Sequence, residues 1–106
     1  MTIEMETTVM ELIINAGEAR SQAMMAIQAA RQKKWELAAA SLAAAQDAVR
    51  AAHLIQTQLI GEDEGQGKIP VNLILVHAQD HLMTEMLCRD LAEEIVMLRQ
   101  EFAGAA

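Results

Sequence analysis

Residues 35–67 read WELAAASLAAAQDAVRAAHLIQTQLIGEDEGQG. Up to Ile60 this stretch holds neither proline nor glycine, and its commonest residue is alanine, the strongest helix former. Trp35, Ala38, Leu42, Ala45, Val49, Ala52, Gln56 and Leu59 recur at steps of three and four. That spacing places them on one face of a helix running from Trp35 to Ile60. Gly61-Glu-Asp-Glu-Gly-Gln-Gly67 then breaks the period and is expected to be an exposed, mobile loop.

The segments on either side repeat the pattern. From Met5 to Gln32 the apolar positions Val9, Leu12, Ile13, Ala16, Ala23, Met24, Ile27 and Ala30 line a second helix face. Arg31, Lys33 and Lys34 follow at its C-terminal end, where positive charge complements the helix dipole. Pro70 suits the first turn of a third helix, because its missing N–H has no intrahelical partner there. That helix is expected to reach Phe102, with Gly104-Ala-Ala106 fraying. At roughly 1.5 Å per residue each helix is on the order of 40 Å long. Short connections make neighbours antiparallel, so the expected fold is all-α: an up-down-up three-helix hairpin, residues 1–106 forming a single domain.

One hairpin cannot bury all its apolar stripes. Met10, Ile14 and Met25 fall off the main face of the first helix, and Leu73, Ile74, Leu75 and Val76 nearly encircle the third. The chain is expected to form a homo-oligomer.

Composition narrows the class. Of 106 residues, 53 % are hydrophobic but only 2 % aromatic, enough apolar content to exclude a disordered chain. Eight basic against fifteen acidic residues give a net charge of −7, the wrong sign for tracking a phosphate backbone, so no nucleic-acid partner is expected. A lone Cys88 cannot form an internal disulfide, which suits a reducing compartment. The first basic residue is Arg20, so no signal peptide is expected, and no apolar run reaches the roughly 18 to 20 residues that span a bilayer. These features imply a soluble, intracellular helical domain.

The third helix carries a polar break, Leu75-Val-His77-Ala-Gln79-Asp80-His81-Leu-Met83. At about 100° per residue His77 and His81 share a face with Asp80 between their rows, while Gln79 lies about 200° from His77. Gln79 therefore cannot easily serve His77 of its own chain. Three readings compete: buried polar groups that fix helix register, a metal site using two imidazoles and a carboxylate, and a histidine that accepts a phosphoryl group through a neutral nitrogen. On antiparallel helices His53, Gln56 and Thr57 come level with His77, as do Asn15 and Gly17. A mid-helix glycine such as Gly17 commonly marks a close approach. His53 reads first as an ordinary half-buried residue, Arg20 as a surface ion-pair residue and Cys88 as an inert packed thiol with only Arg89 nearby. Met24 and Met25 read as core or interface filler.

The run His77-Ala-Gln-Asp-His-Leu-Met83 closely resembles the signature of the lactose/cellobiose-type enzyme IIA of the bacterial phosphoenolpyruvate-dependent sugar phosphotransferase system. Asn15-Ala-Gly-Glu-Ala-Arg-Ser21 and Ala52-His-Leu-Ile-Gln-Thr57 agree with it, and the sequence around His77 is more similar to the cellobiose/chitobiose branch. The resemblance implies a cytoplasmic phosphoryl carrier that takes a phosphoryl group from HPr and passes it to a cysteine of enzyme IIB, meeting the membrane only through the enzyme IIC complex. It implies that His77 is phosphorylated at Nε2 and that Gln79 and His81 line the phosphoryl site, Gln79 from a neighbouring protomer. It also implies a homotrimer with the third helix near the axis, where three Asp80 carboxylates surround a divalent cation, with Mg2+ the expected ion. Leu82, Met83 or Met86 would contribute an apolar contact for both partners. The alternative is a non-catalytic trimeric helical adaptor or metal-binding bundle.

Overall fold

The computed structural model describes residues 2–105, and all of its regular structure is helical: α1 (Ile3–Arg31), α2 (Trp35–Asp63) and α3 (Leu73–Ala105). The helices run up, down and up in a rod of 56 × 23 × 19 Å, as the periodicity predicts. α1 packs along both of the others, whereas α2 and α3 meet over a smaller area. No helix among the described residues is long and apolar enough to cross a membrane.

The helix ends show where local chemistry overrode simple punctuation. Thr2 caps α1, its hydroxyl accepting the Met5 N–H at 3.1 Å, and Glu4 and Glu6 occupy the first turn. α2 runs through Gly61 to Asp63 and is closed by Glu64 in the left-handed region. A single glycine lowers helix propensity by about 1 kcal/mol, too little to stop a long packed helix. The connection beyond it is exposed but tied down. The Asp63 carboxylate accepts the N–H groups of Gly67 (3.3 Å) and Ile69 (3.0 Å), and Gly65 and Gly67 supply the positive φ that this turn requires. Pro70 precedes α3 instead of opening it. Asn72 is the cap, its side-chain oxygen accepting the Leu75 N–H at 3.0 Å. α3 also continues through Gly104 to Ala105, so the expected fraying is absent over those two residues, and Ala106 lies outside the described ones.

The core is built mainly of alanine, which lets the helix axes approach closely. Ala16, Ala19, Ala23 and Ala26 of α1 are fully covered, as are Ala38, Ala45 and Ala52 of α2 and Ala78 and Ala92 of α3. Two main clusters fill the rod. One, near the α1–α2 turn, gathers Ala23, Ala26, Leu42, Ala92 and Val96; the other, near the α2–α3 connection, gathers Val9, Leu12, Leu59, Leu75 and Leu82. Between Leu82 and Ala92 the inner face of α3 carries Glu85, buried, and Arg89, half-buried, so the apolar core has a polar waist.

The surplus apolar surface is real. Met10, Ile14 and Met25 are exposed on α1, and Met24 joins them on the surface instead of filling the core. On α3, Leu73, Leu87, Leu91 and Leu98 are 85, 59, 53 and 51 % exposed. Together with Val76 they form one outward seam along the helix, interrupted by the polar Asp80, Thr84 and Glu94.

Candidate functional site

The polar break sits in the first third of α3, held rigid by the buried Ala78 and Leu82 on its inner face. Its four polar side chains point three ways. His77 is exposed and its ring lies almost parallel to that of His81, one turn on, with centroids 6.0 Å apart and planes 15° from parallel. His81 is largely covered and turns toward α1. A methyl group at Gly17 would lie 3.9 Å from its Nε2. Asp80 points outward on the apolar seam and forms no ion pair among the described residues. Gln79 faces α2, where its side-chain oxygen accepts a hydrogen bond from Gln56 Nε2, which also lies 3.8 Å from Met83 Sδ.

His77 and His81 are thus brought together, and Gln79 is kept from both on the opposite flank, as the helix angles require. The level arithmetic holds only in part. Gln56 does come level with the break, but it meets Gln79 and not His77. His53 is exposed, not half-buried, and with Thr57, Gln46 and Val49 it borders a groove closed by Met86. α2 runs along the Gln79 side of α3, so its residues cannot reach the histidine pair. Asn15 spends its amide on the Glu11 carbonyl at 2.9 Å. Gly17 does mark where α1 passes His81, but 3.9 Å is ordinary van der Waals contact. Gly17→Ala is therefore expected to stabilise the fold by about 0.5–1 kcal/mol, read as a higher urea midpoint at fixed protein concentration.

Arg20 makes no ion pair among the described residues, contrary to the surface-pair reading. Its charge bears on Cys88 instead. The thiol is half-buried, and burial chiefly raises its pKa, with Glu85 adding to the effect and Arg20 opposing it. That direction agrees with an inert thiol. Of the three apolar residues named for partner contact, Leu82 is fully buried and drops out, Met86 packs into the core, and Met83 alone is exposed.

Glu85 escaped the sequence reading, where it passes as one more acidic residue. It is 3 % exposed, its Oε1 lies 3.8 Å from His81 Nδ1, and its Oε2 has no hydrogen-bond partner. The available signal was positional: Ala78, Leu82, Glu85, Ala92 and Val96 share the helical spacing of the inner face.

No group of three or more metal-ligating side chains converges among the described residues of one chain. A cation at Asp80 would need carboxylates from several copies. An exposed, unpaired carboxylate on a largely apolar seam suits that arrangement, since oxygen donors fit Mg2+ or Ca2+.

Comparison with known proteins follows the same residues. Residues 7–100 match the sequence pattern of the family described as "PTS system, Lactose/Cellobiose specific IIA subunit". The N,N'-diacetylchitobiose-specific EIIA component of the phosphotransferase system (PTS) of Escherichia coli K12 is 49 % identical over 98 residues, spanning 92 % of this chain and 84 % of that protein. The crystal structure of the PTS cellobiose-specific enzyme IIA from Bacillus anthracis superposes with a TM-score of 0.93 at 36 % identity, over 100 % of this chain and 97 % of the other. IIA(Chitobiose) in the solution structure of its complex with HPr, from Escherichia coli, gives 0.83 at 46 % identity, over 96 and 99 %.

Proposed function

This chain belongs to the lactose/cellobiose-specific IIA family of the phosphotransferase system, whose members are phosphoryl carriers, and on that footing we propose that His77 is the residue that carries the phosphoryl group. The supporting observation is the setting of its imidazole. Of the three histidines, His77 alone is both exposed and stacked against a second ring on a rigid helix; His53 stands apart on α2 and His81 is mostly covered. The Nε2 lone pair of His77 attacks the phosphorus of phospho-HPr, forming the N–P bond as the bond to the donor nitrogen breaks. The proton on Nδ1 stays in place. A cysteine thiolate of enzyme IIB then attacks the same phosphorus, and the electron pair returns to Nε2. In-line transfer of this kind asks mainly for positioning and charge stabilisation. His81 supplies the first from the same helix. Gln79, facing away, acts in the site of an adjacent protomer.

That division of labour needs the homotrimer. Three α3 seams packed around a three-fold axis would cover Leu73, Leu87, Leu91 and Leu98 and bring three Asp80 carboxylates together. Those carboxylates would hold a divalent cation, with Mg2+ expected, which when bound offsets their mutual repulsion. In this reading the carrier works in the cytoplasm, downstream of HPr and upstream of enzyme IIB, with the membrane reached only through enzyme IIC. Mixing the chain with phospho-HPr and following the loss of donor tests it: transfer of one phosphoryl group per chain is expected, and donor persistence contradicts it.

The axial arrangement has its own check. Asp80→Leu removes the charge cluster, so the variant is expected to stay trimeric, to gain about 1–4 kcal/mol of stability, and still to accept phosphate. A chelator should lower the wild-type unfolding temperature and leave that of the variant unchanged.

A further inference from the structure

We propose that Glu85 is a positioning residue for the histidine pair: it holds the Nδ1–H tautomer of His81 and so fixes which edge of that ring faces the phosphoryl site. The proposal rests on the carrier reading for its consequence, but its geometry stands apart from it. A carboxylate buried on the inner face of a helix is costly unless it is paired. Glu85 is 3 % exposed, and its Oε2 lacks a partner.

Among the described residues, one basic side-chain nitrogen lies within 4 Å of the carboxylate. Arg89, one turn further on, makes no ion pair with Glu85: its Nη1 donates to Glu93 at 2.7 Å and lies 3.8 Å from Asp90, and its Nε is itself buried without a partner. Arg20 of α1 makes no ion pair with Glu85. Cys88 is a half-buried thiol whose pKa is raised, and a thiol is a weak donor. The nitrogen within that distance is His81 Nδ1, 3.8 Å from Oε1. A small rotation of either side chain closes this gap to a hydrogen bond, and an anionic acceptor at that position selects the tautomer with its proton on Nδ1. The other nitrogen, Nε2, then remains free on the side where α1 passes at Gly17, and Gly17 leaves it room. With one edge tethered, His81 presents a fixed ring against which His77 stacks.

The deciding experiment is long-range 1H–15N NMR of the unphosphorylated protein at a pH of about 8.5, above the ordinary imidazole range. The expected result is a His81 proton on Nδ1 in the wild type, reverting toward the Nε2–H form favoured by free histidine in Glu85→Leu. Glu85→Met replaces that variant if the branched side chain does not pack. A wild-type proton on Nε2, or an Nδ1–H tautomer that persists without Glu85, overturns the proposal. In phospho-HPr assays Glu85→Leu should lower the maximal transfer rate about 10- to 100-fold with an unchanged KM, because a buried residue cannot touch the donor. If the tautomer switches as expected while even the wild type accepts no phosphoryl group, the carrier reading fails and the role of Glu85 in the pair stands.

Discussion

His77→Ala is expected to abolish phosphoryl transfer altogether while leaving the fold intact. The loss should be complete because the substitution removes the bond-forming atom, and no second nucleophile stands in its place. His81 has its Nδ1 beside a buried carboxylate and most of its surface covered. His53 lies on the other flank of α3, with Gln46, Thr57 and Met86 around it. Stability should move by no more than about 0.5 kcal/mol, since His77 is exposed and its imidazole makes no hydrogen bond to another described residue. The informative comparison is with His53→Ala, which should transfer at the wild-type rate. Steady-state turnover with phosphoenolpyruvate, enzyme I, HPr and enzyme IIB present reads both variants. An adaptor whose histidines only set helix register would bind its partners equally well without His77.

A second large effect is expected at the seam. Leu87 stands two turns beyond Asp80 on the outward line of α3 and is 59 % exposed in the single chain. Leu87→Glu would bury three further carboxylates at the axis and lose three leucine contacts. Burial of a leucine side chain is worth about 2 kcal/mol, so a trimer loses about 6 kcal/mol before any charge repulsion is counted. That corresponds to assembly weakened by about 10^4-fold. Sedimentation equilibrium should show monomers at micromolar concentration, where a trimer is expected for the wild type. The monomer should also be a poor phosphoryl acceptor although His77 and His81 are untouched, because Gln79 would no longer be delivered from a neighbour. A trimeric Leu87→Glu would move the assembly surface away from α3.

Periodicity and composition make the three helices, their order and most of their buried faces legible in the sequence, because helix formation and face burial are repeated over many residues. The seam of α2 from Trp35 to Leu59 is covered almost as written. Single-residue punctuation was less dependable. Gly61 did not end α2, and Asn72 capped α3 where Pro70 was expected to open it, since packing and side-chain capping together outweigh one residue's preference. Within the site, helix angles separated Gln79 from His77 correctly. They could not say on which flank of α3 the second helix runs, and so they misplaced His53 and Thr57. Glu85 was hidden for a different reason. Charge in an acidic sequence draws no notice unless its position in the buried spacing is checked as well.

The most direct measurement is fragmentation mass spectrometry of the intact wild-type chain after incubation with phosphoenolpyruvate, enzyme I and HPr, with the adduct located on the sequence. One acid-labile phosphoryl group per chain is expected, on His77 and on neither His53 nor His81. An adduct on another residue, or none with enzyme I and HPr shown to be active, would contradict it.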